Sequence, residues 1–530
     1  MGIHSLRRWF SNPVHLLALS AALIAFAAQS GELGSADTQH RLHSTHALWT
    51  SDPPVFPDEY PEFGIHGRGG KLQSWYGIGQ SLLMLPADVV GTYIERLPVF
   101  ADYYTDPIVK NIFVSYTTNI LLNVLTALVC FRFLRQLNFS VRQAVAGVLA
   151  LLVATTHLHY TQNMMENNYI GLLTLTGFSY QYEWLRNNSR RALIIGSAAF
   201  GLNLLTRITT GIDLLAGAFF VLLVCWLENV RRTELWNRIR LYAAISFPIY
   251  AFFVLCDRLY QYYRFGSFFN TYVTVFTREM HQREPWLPAK YPWETPFHVG
   301  FFGALFKPEK SIFLFDPLLI LMIVLAIFAW KWFSPAVKAY IITGCVLLLA
   351  YISFYARYTI WTGDFAWGDR YVSTSAELAS MLAVPLLLRY RNRLSKMVWI
   401  FGIVITAISV AIQFASLAFW LSLEIYQMET LGHPTFVVAL RFKNIVAFAL
   451  GKMDAWGLVN YAMHWDDWDY VHITCWNFLP FVLKRVGVAP LWVVHLTLAI
   501  WITSLALLAI TLWQICRVLA EREYAVAAEG

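Results

Sequence analysis

Charged residues are scarce in this chain: Asp, Glu, Lys and Arg make up 14% of its 530 residues, against about 25% in an ordinary soluble domain. With a hydrophobic content of 57%, that shortage excludes a soluble enzyme and a disordered chain. Cysteine is sparse too. Five of the six (Cys130, Cys225, Cys256, Cys345, Cys516) lie in or beside apolar runs, and only Cys475 sits in a long polar segment, so no disulfide scaffold is evident. Alternating strands of about ten residues are missing, which argues against a transmembrane β-barrel. No glycine loop of the Walker or dinucleotide type occurs on the side read below as cytoplasmic, which argues against an ATP-driven machine. A strong internal repeat is also missing, and few ionisable residues fall deep in the apolar runs, as a secondary transporter would need.

What is present is a series of apolar runs, most of them close to the ~20 residues that cross a bilayer. They predict an all-α polytopic membrane protein of about twelve spanning helices. The segment 75–94 is apolar but carries Gly77, Gly79, Pro86 and Gly91; it is expected to be interfacial or re-entrant rather than a span. The N-terminus, with Arg7, Arg8, an apolar stretch and AFAAQS (25–30), has the outline of a signal peptide; we read it as an uncleaved first span. Aromatics reach 16%, with 21 Trp and 27 Tyr, as expected where much surface meets membrane interfaces.

Lys and Arg sort by side. Every second connection between spans is basic, from Arg7 and Arg8 through Arg132, Arg190, Arg231, Lys331 and Arg389 to Arg517 and Arg522. By the positive-inside rule these connections and both termini are cytoplasmic. Half of the 40 Lys and Arg fall there against six acids (Glu183, Glu228, Glu234, Glu521, Glu523, Glu529). The net charge of +7 is therefore an orientation signal and not a nucleic-acid footprint, and the opposite side is net acidic. That outer side also carries the long segments 30–107, 258–311 and 424–488 and the chemically dense 357–371. Long loops of this kind are usually functional.

Candidate chemistry sits in those segments and at the adjoining span ends. In SADTQHRL (35–42), Asp37 and Arg41 stand one helical turn apart. A carboxylate beside an Arg at the membrane surface suits a general base for a hydroxyl, and a helix N-cap is the plainer role. Asp37 with His40 could also contribute to a divalent metal site. The same stretch reads as an amphipathic interfacial helix with Leu42, Leu48 and Trp49 toward lipid. In FGIHGRGGKLQSWYGIG (63–79), His66, Arg68 and Lys71 lie among four glycines, a turn that can hold an anion or be an ordinary turn. Glu166, in HYTQNMMENN, opens the fourth span, where it could orient an acceptor or serve the helix dipole. Arg207, Arg264, Lys307, Lys310 and Arg370 sit near outer span ends, where they could meet a lipid-linked phosphate or snorkel. In 463–480, MHWDDWDYVHITCWNFLP, Trp and Tyr stand beside Asp and His. That suits sugar stacking and equally an aromatic interfacial belt.

This order of motifs over residues 13–390 resembles the GT-C superfamily of integral-membrane glycosyltransferases, which includes the protein O-mannosyltransferases and the bacterial aminoarabinose transferases of lipid A. SADTQHRL is similar to the family's acidic motif after the first span, with Asp37 in the place of the base. Thr38 stands where many relatives have a second acid. GRGGKLQSWYGIGQSLLMLP and HYTQNMMENN are similar to first- and second-loop segments of bacterial members. NLLTRITTG, YYRFGSFFNTY, GALFKPEKSIFLFDPLL and WTGDFAWGDRY resemble later segments, with Asp369 where relatives often carry Pro.

The resemblance implies a GT-C-like bundle and an inverting transfer of sugar from a polyprenyl-phosphate donor to a hydroxyl of a lipid, glycan or protein. Asp37 would be the base, with Glu166 beside it. Arg207, Arg264, Arg370, Lys307 and Lys310 would bind donor phosphate, and Arg41, His66, Arg68 and Lys71 an acceptor or anion. No cofactor is implied for certain; a divalent metal at Asp37 and His40 stays open, since Thr38 replaces the second acid. The expected organisation is a catalytic transmembrane module over 1–423, an outer region 424–488 that matches nothing, and a last span with cytoplasmic tail over 489–530. The expected location is a bacterial inner membrane with the active site on the outer face. The alternative is a polyprenyl-phosphate or lipid-glycan transporter without catalysis. The two differ in whether the ionisable residues converge at outer helix ends or pair in mid-membrane.

Overall fold

The computed structural model describes residues 11–57, 63–100, 108–364, 366–419, 422–429, 431–453, 463–465, 468–470, 475–487 and 489–529. Among these the chain is an α-helical bundle whose strands form two short antiparallel hairpins, Gly64–His66 with Leu72–Ser74 and Met463–Trp465 with Trp468–Tyr470. Six helices are long and apolar enough to cross a membrane: Val109–Gln136, Ile208–Leu227, Arg232–Phe265, Pro335–Tyr355, Lys396–Ser416 and Leu491–Glu521. Their outward faces carry bare apolar side chains, such as Leu215, Trp226 and Phe247, each about two-thirds exposed or more. Such a belt needs lipid against it.

Three of the expected spans are interrupted. Helix Val141–Val153 breaks before His157–Gln162, Ile312–Phe315 before Leu318–Ala329, and Ser373–Ser380 before Ala383–Arg389. Thr156, at the first break, binds Asp316 at the second and Glu377 in the helix before the third. The Thr156 amide donates to Asp316 Oδ1 at 2.8 Å, and its hydroxyl lies 3.0 Å from Asp316 Oδ2 and 2.9 Å from Glu377 Oε1. The freed backbone and the buried acids thus satisfy one another, as irregular backbone inside a bundle must. Nearby helices lock through edge-to-face aromatic contacts of Tyr340 with Phe133 and Phe178, centroids 5.1 and 5.7 Å apart.

The segment 75–94 contains one continuous helix, Ile78–Glu95, with Pro86 inside it, and it is not among the helices long and apolar enough to cross a membrane. Gly77 precedes it for a tertiary reason: a Cβ there would come 2.5 Å from the Leu205 carbonyl oxygen. The helix Ala36–His46 forms as expected, yet Leu42 faces the interior with Leu33, Met84 and Met164, and only Leu48 of the expected lipid face is exposed.

Among the described residues the region 424–488 contributes three helices, Ser422–Glu429, Val437–Ala449 and Leu479–Val486. The first two are fastened by a fully buried bidentate ion pair, Arg441 to Glu424, both bonds 2.7 Å. Arg441 also donates to the Ser416 carbonyl at 2.8 Å and lies 5.1 Å from the Trp367 ring. Much of the aromatic stretch expected to stack sugar or form an interfacial belt (466–467, 471–474) lies outside the described residues.

Candidate active site

Four separate segments meet at one end of the bundle, and short polar contacts hold each in place. Ser35 caps Ala36–His46 by accepting from the Thr38 amide at 3.2 Å. That puts Asp37 in the first turn, where the helix dipole favours its charge, with Arg41 one turn on. The Thr38 hydroxyl donates to the Met164 carbonyl at 2.8 Å. Gly34, with φ +77°, lies so close to Asn163 that a Cβ would come 2.6 Å from its Cα. These contacts bring Glu166 beside Arg41. Asn167 donates to the Arg370 carbonyl and to Ser373 Oγ, both at 2.7 Å, which anchors the fourth segment. The Gly79 amide donates to the Leu205 carbonyl at 2.8 Å, placing Arg207 at the same point.

The side chains form one network. Arg41 pairs with Glu166 Oε2 at 2.6 Å, and Arg207 contacts Glu166 Oε1. Arg370 contacts Asp37 Oδ2, while the Tyr76 hydroxyl donates to Asp37 Oδ1 at 2.7 Å. Arg41 lies over the Tyr76 ring at 4.2 Å, and Arg207 and Arg370 each lie 5.3 Å from the Tyr371 ring. Tyr371 in turn stacks on Tyr355 with centroids 4.3 Å apart. Burial pushes the Asp37 carboxyl up, but Arg370 and Arg41 outweigh it and hold it below its ordinary value. A small cavity opens beside the network, lined by Asn167, Arg207, Asp213, Tyr351, Arg370 and Tyr371.

Five of the expected site residues therefore converge: Asp37, Arg41, Glu166, Arg207 and Arg370. Three expected phosphate ligands stand elsewhere. Arg264 is buried and outside the network: its Nη1 donates to the carbonyls of Ser74 and Tyr76 (2.9 Å to the latter) and its Nη2 to Gln261 at 2.9 Å, while its Nε has no partner. It thereby holds the strand that presents Tyr76. Lys310 is buried and donates to the carbonyls of Asp364, Ala366 and Gly368 at 2.6, 2.8 and 3.1 Å, a cage that shapes the loop leading to Arg370. Lys307 is exposed, 5.5 Å from the Trp361 ring.

The glycine turn forms the exposed tip of the first hairpin. There His66 binds Glu279 through its amide at 2.7 Å, Arg68 lies 5.6 Å from the Tyr262 ring, and Lys71 is exposed. Glu166 has both oxygens on arginines, so it serves as counter-ion to two cations and is not free to orient an acceptor. The expected metal pair does not fit. Tyr76 and Arg370 occupy the two Asp37 oxygens, His40 stacks on Phe63 at 3.8 Å, and no group of three or more metal-ligating side chains occurs among the described residues. Tyr76 and Tyr371 had no local signal. Each matters through a partner far away in the chain.

No protein-family model and no curated protein matches the chain. Among solved structures it is similar to the archaeal oligosaccharyltransferase AglB from Archaeoglobus fulgidus, determined with an inhibitory peptide and a dolichol-phosphate, at 13% identity and a TM-score of 0.46. That likeness covers 78% of this chain and 55% of AglB, so the chain spans about half of that protein's length. It is also similar to ArnT from Cupriavidus metallidurans bound to undecaprenyl phosphate, at 13% identity and a TM-score of 0.42, over 96% of this chain and 77% of that one.

Proposed function

We propose that this protein is a membrane glycosyltransferase of the GT-C type. It moves a sugar from a polyprenyl-phosphate carrier to a hydroxyl acceptor at the outer face of a bacterial inner membrane. One observation carries this: the contact cluster holds three guanidiniums against two carboxylates, and two of its buried donors, Arg41 Nη1 and Arg370 Nε, have no partner. A half-buried cluster with one excess positive charge and two idle buried N–H groups asks for an anion, because unpaired buried donors are costly. A lipid phosphate supplies that anion, and the bare apolar helices around the site suit its tail.

The chemistry follows from the placement. The acceptor hydroxyl gives its proton to Asp37 as its oxygen bonds to the anomeric carbon. The carbon–oxygen bond to phosphate breaks, and the electron pair leaves with the phosphate oxygen. A phosphate leaving group needs little protonation, so one base and a set of cations suffice. Attack opposite the leaving group inverts the anomeric centre. Glu166 positions Arg41 and Arg207, and Tyr76 orients Asp37. The test is transfer of label from a panel of polyprenyl-phosphate sugars into membrane acceptors by the purified full chain. Asp37→Asn should abolish transfer with the protein still folded; retained turnover removes Asp37 as base.

A further inference from the structure

Arg370 has two claims on it. Its guanidinium sits on Asp37, and this contact, with Arg41, keeps that carboxylate a weak base. A general base works best with a pKa near the operating pH, so the pairing that orders Asp37 also suppresses it. Yet Arg370 also lines the cavity beside Arg207, and its Nε has no partner. A phosphate entering there meets the edge of a guanidinium that grips phosphate with two donors at once. Glu166 cannot be released in the same way, because Arg41 and Arg207 both hold it.

We propose that the donor phosphate draws Arg370 off Asp37, so that Asp37 becomes a competent base only in the donor complex. This rests on the donor-phosphate function above. Charge within the contact cluster supports it. Three arginines, two carboxylates and a donor phosphodiester of charge minus one sum to zero. After transfer Asp37 is neutral and the carrier phosphate is a dianion, so the sum is again zero, and the arginine has followed the growing charge from carboxylate to phosphate. The groups that face Asp37 are Arg370 from the loop before Ser373–Ser380, Arg41 on its own helix, Glu166 from the start of Asn167–Asn187, and Tyr76 after the hairpin. Of these only Arg370 both contacts Asp37 and lines the cavity. Asp213, on the cavity wall, accepts from Thr174 and Tyr351, each at 2.9 Å, and feels the charge of Arg207 across the cavity.

The experiment uses the full chain in nanodiscs and a polyprenyl methyl phosphodiester, a probe that carries one charge, has no titratable group and cannot be turned over. Calorimetry in buffers of different ionisation enthalpy reads proton uptake on binding. The free-state pKa of Asp37 is depressed and the bound-state value is released upward, so binding takes up a proton between the two. Affinity should therefore rise as pH falls from 7 to 5, approaching about tenfold per pH unit below the bound-state pKa. Asp37→Asn leaves Arg370 free from the start. It should bind the probe at least about fivefold more tightly at pH 7, the lower end of typical coupling between two sites, with no dependence on pH. Asp37→Ala should behave alike. Wild-type binding without proton uptake, or Asp37→Asn binding no tighter than wild type, overturns the exchange and leaves the donor site standing. Failure of wild type to bind the probe overturns the donor site itself, and the exchange with it.

Discussion

Lys310→Met separates a ligand from a staple. The Lys310 ammonium donates to three carbonyls, at 2.6, 2.8 and 3.1 Å, two of them buried and all in the loop that ends at Arg370. Charge-assisted bonds of this kind are worth about 1.5–3 kcal/mol each, so the gross loss is about 6 kcal/mol. Removing the buried ammonium recovers part of that, since desolvating an ion costs several kcal/mol. A net local loss of about 3 kcal/mol is expected, or roughly a hundredfold more frequent opening of the loop. Hydrogen exchange of the purified protein without lipid reads this directly. Amides of 361–371 should exchange about a hundredfold faster in Lys310→Met, while those of Val109–Gln136 stay as in wild type. Unchanged exchange in the loop, with weakened binding of a lipid phosphate, refutes the staple and returns Lys310 to the phosphate ligands.

Other expectations follow from the same contacts. Arg441→Met leaves Glu424 buried and charged, at a cost of about 3–5 kcal/mol; the double variant with Glu424→Gln should recover part of the lost thermal midpoint in detergent. Asp37 has its carboxyl depressed by Arg370 and Arg41 against the opposing effect of burial. Its contribution to stability is therefore fully present above the ordinary value of 3.8 and is lost as pH falls through the lower folded value. The acid limb of the thermal midpoint should be shallower in Asp37→Asn than in wild type. Gly77→Ala puts a methyl 2.5 Å from the Leu205 carbonyl oxygen; overpacking of about 1–3 kcal/mol should lower the thermal midpoint and weaken lipid-phosphate binding, because Arg207 lies two residues on.

The helices were legible because hydrophobic runs are local. The expected spans fall on helical segments, although three are interrupted and six helices among the described residues are long and apolar enough to cross a membrane, and the cap at Ser35 that sets Asp37 in a first turn is written within four residues. The interruptions at Thr156 and Asp316, and their link to Glu377, were not legible. Each looks like ordinary polar punctuation until the bundle brings 156, 316 and 377 together. The basic residues show the same divide. Arg207, Lys310 and Arg370 look alike along the chain, each a cation near the end of an apolar run. Packing separates them: Arg207 and Arg370 meet carboxylates, while Lys310 meets carbonyls.

Low charge and long apolar runs thus determined by themselves that this is a helical membrane chain, since the transfer of side chains into lipid depends on composition over about twenty residues. The tertiary structure alone decided which acids and cations touch, and it set Arg264 and Lys310 against backbone carbonyls rather than against Asp37 or Glu166. The physical reason is range. Hydropathy is summed along a segment, whereas an ion pair or a hydrogen bond needs two groups within about 3 Å, and here they come from positions as far apart as Asp37 and Arg370.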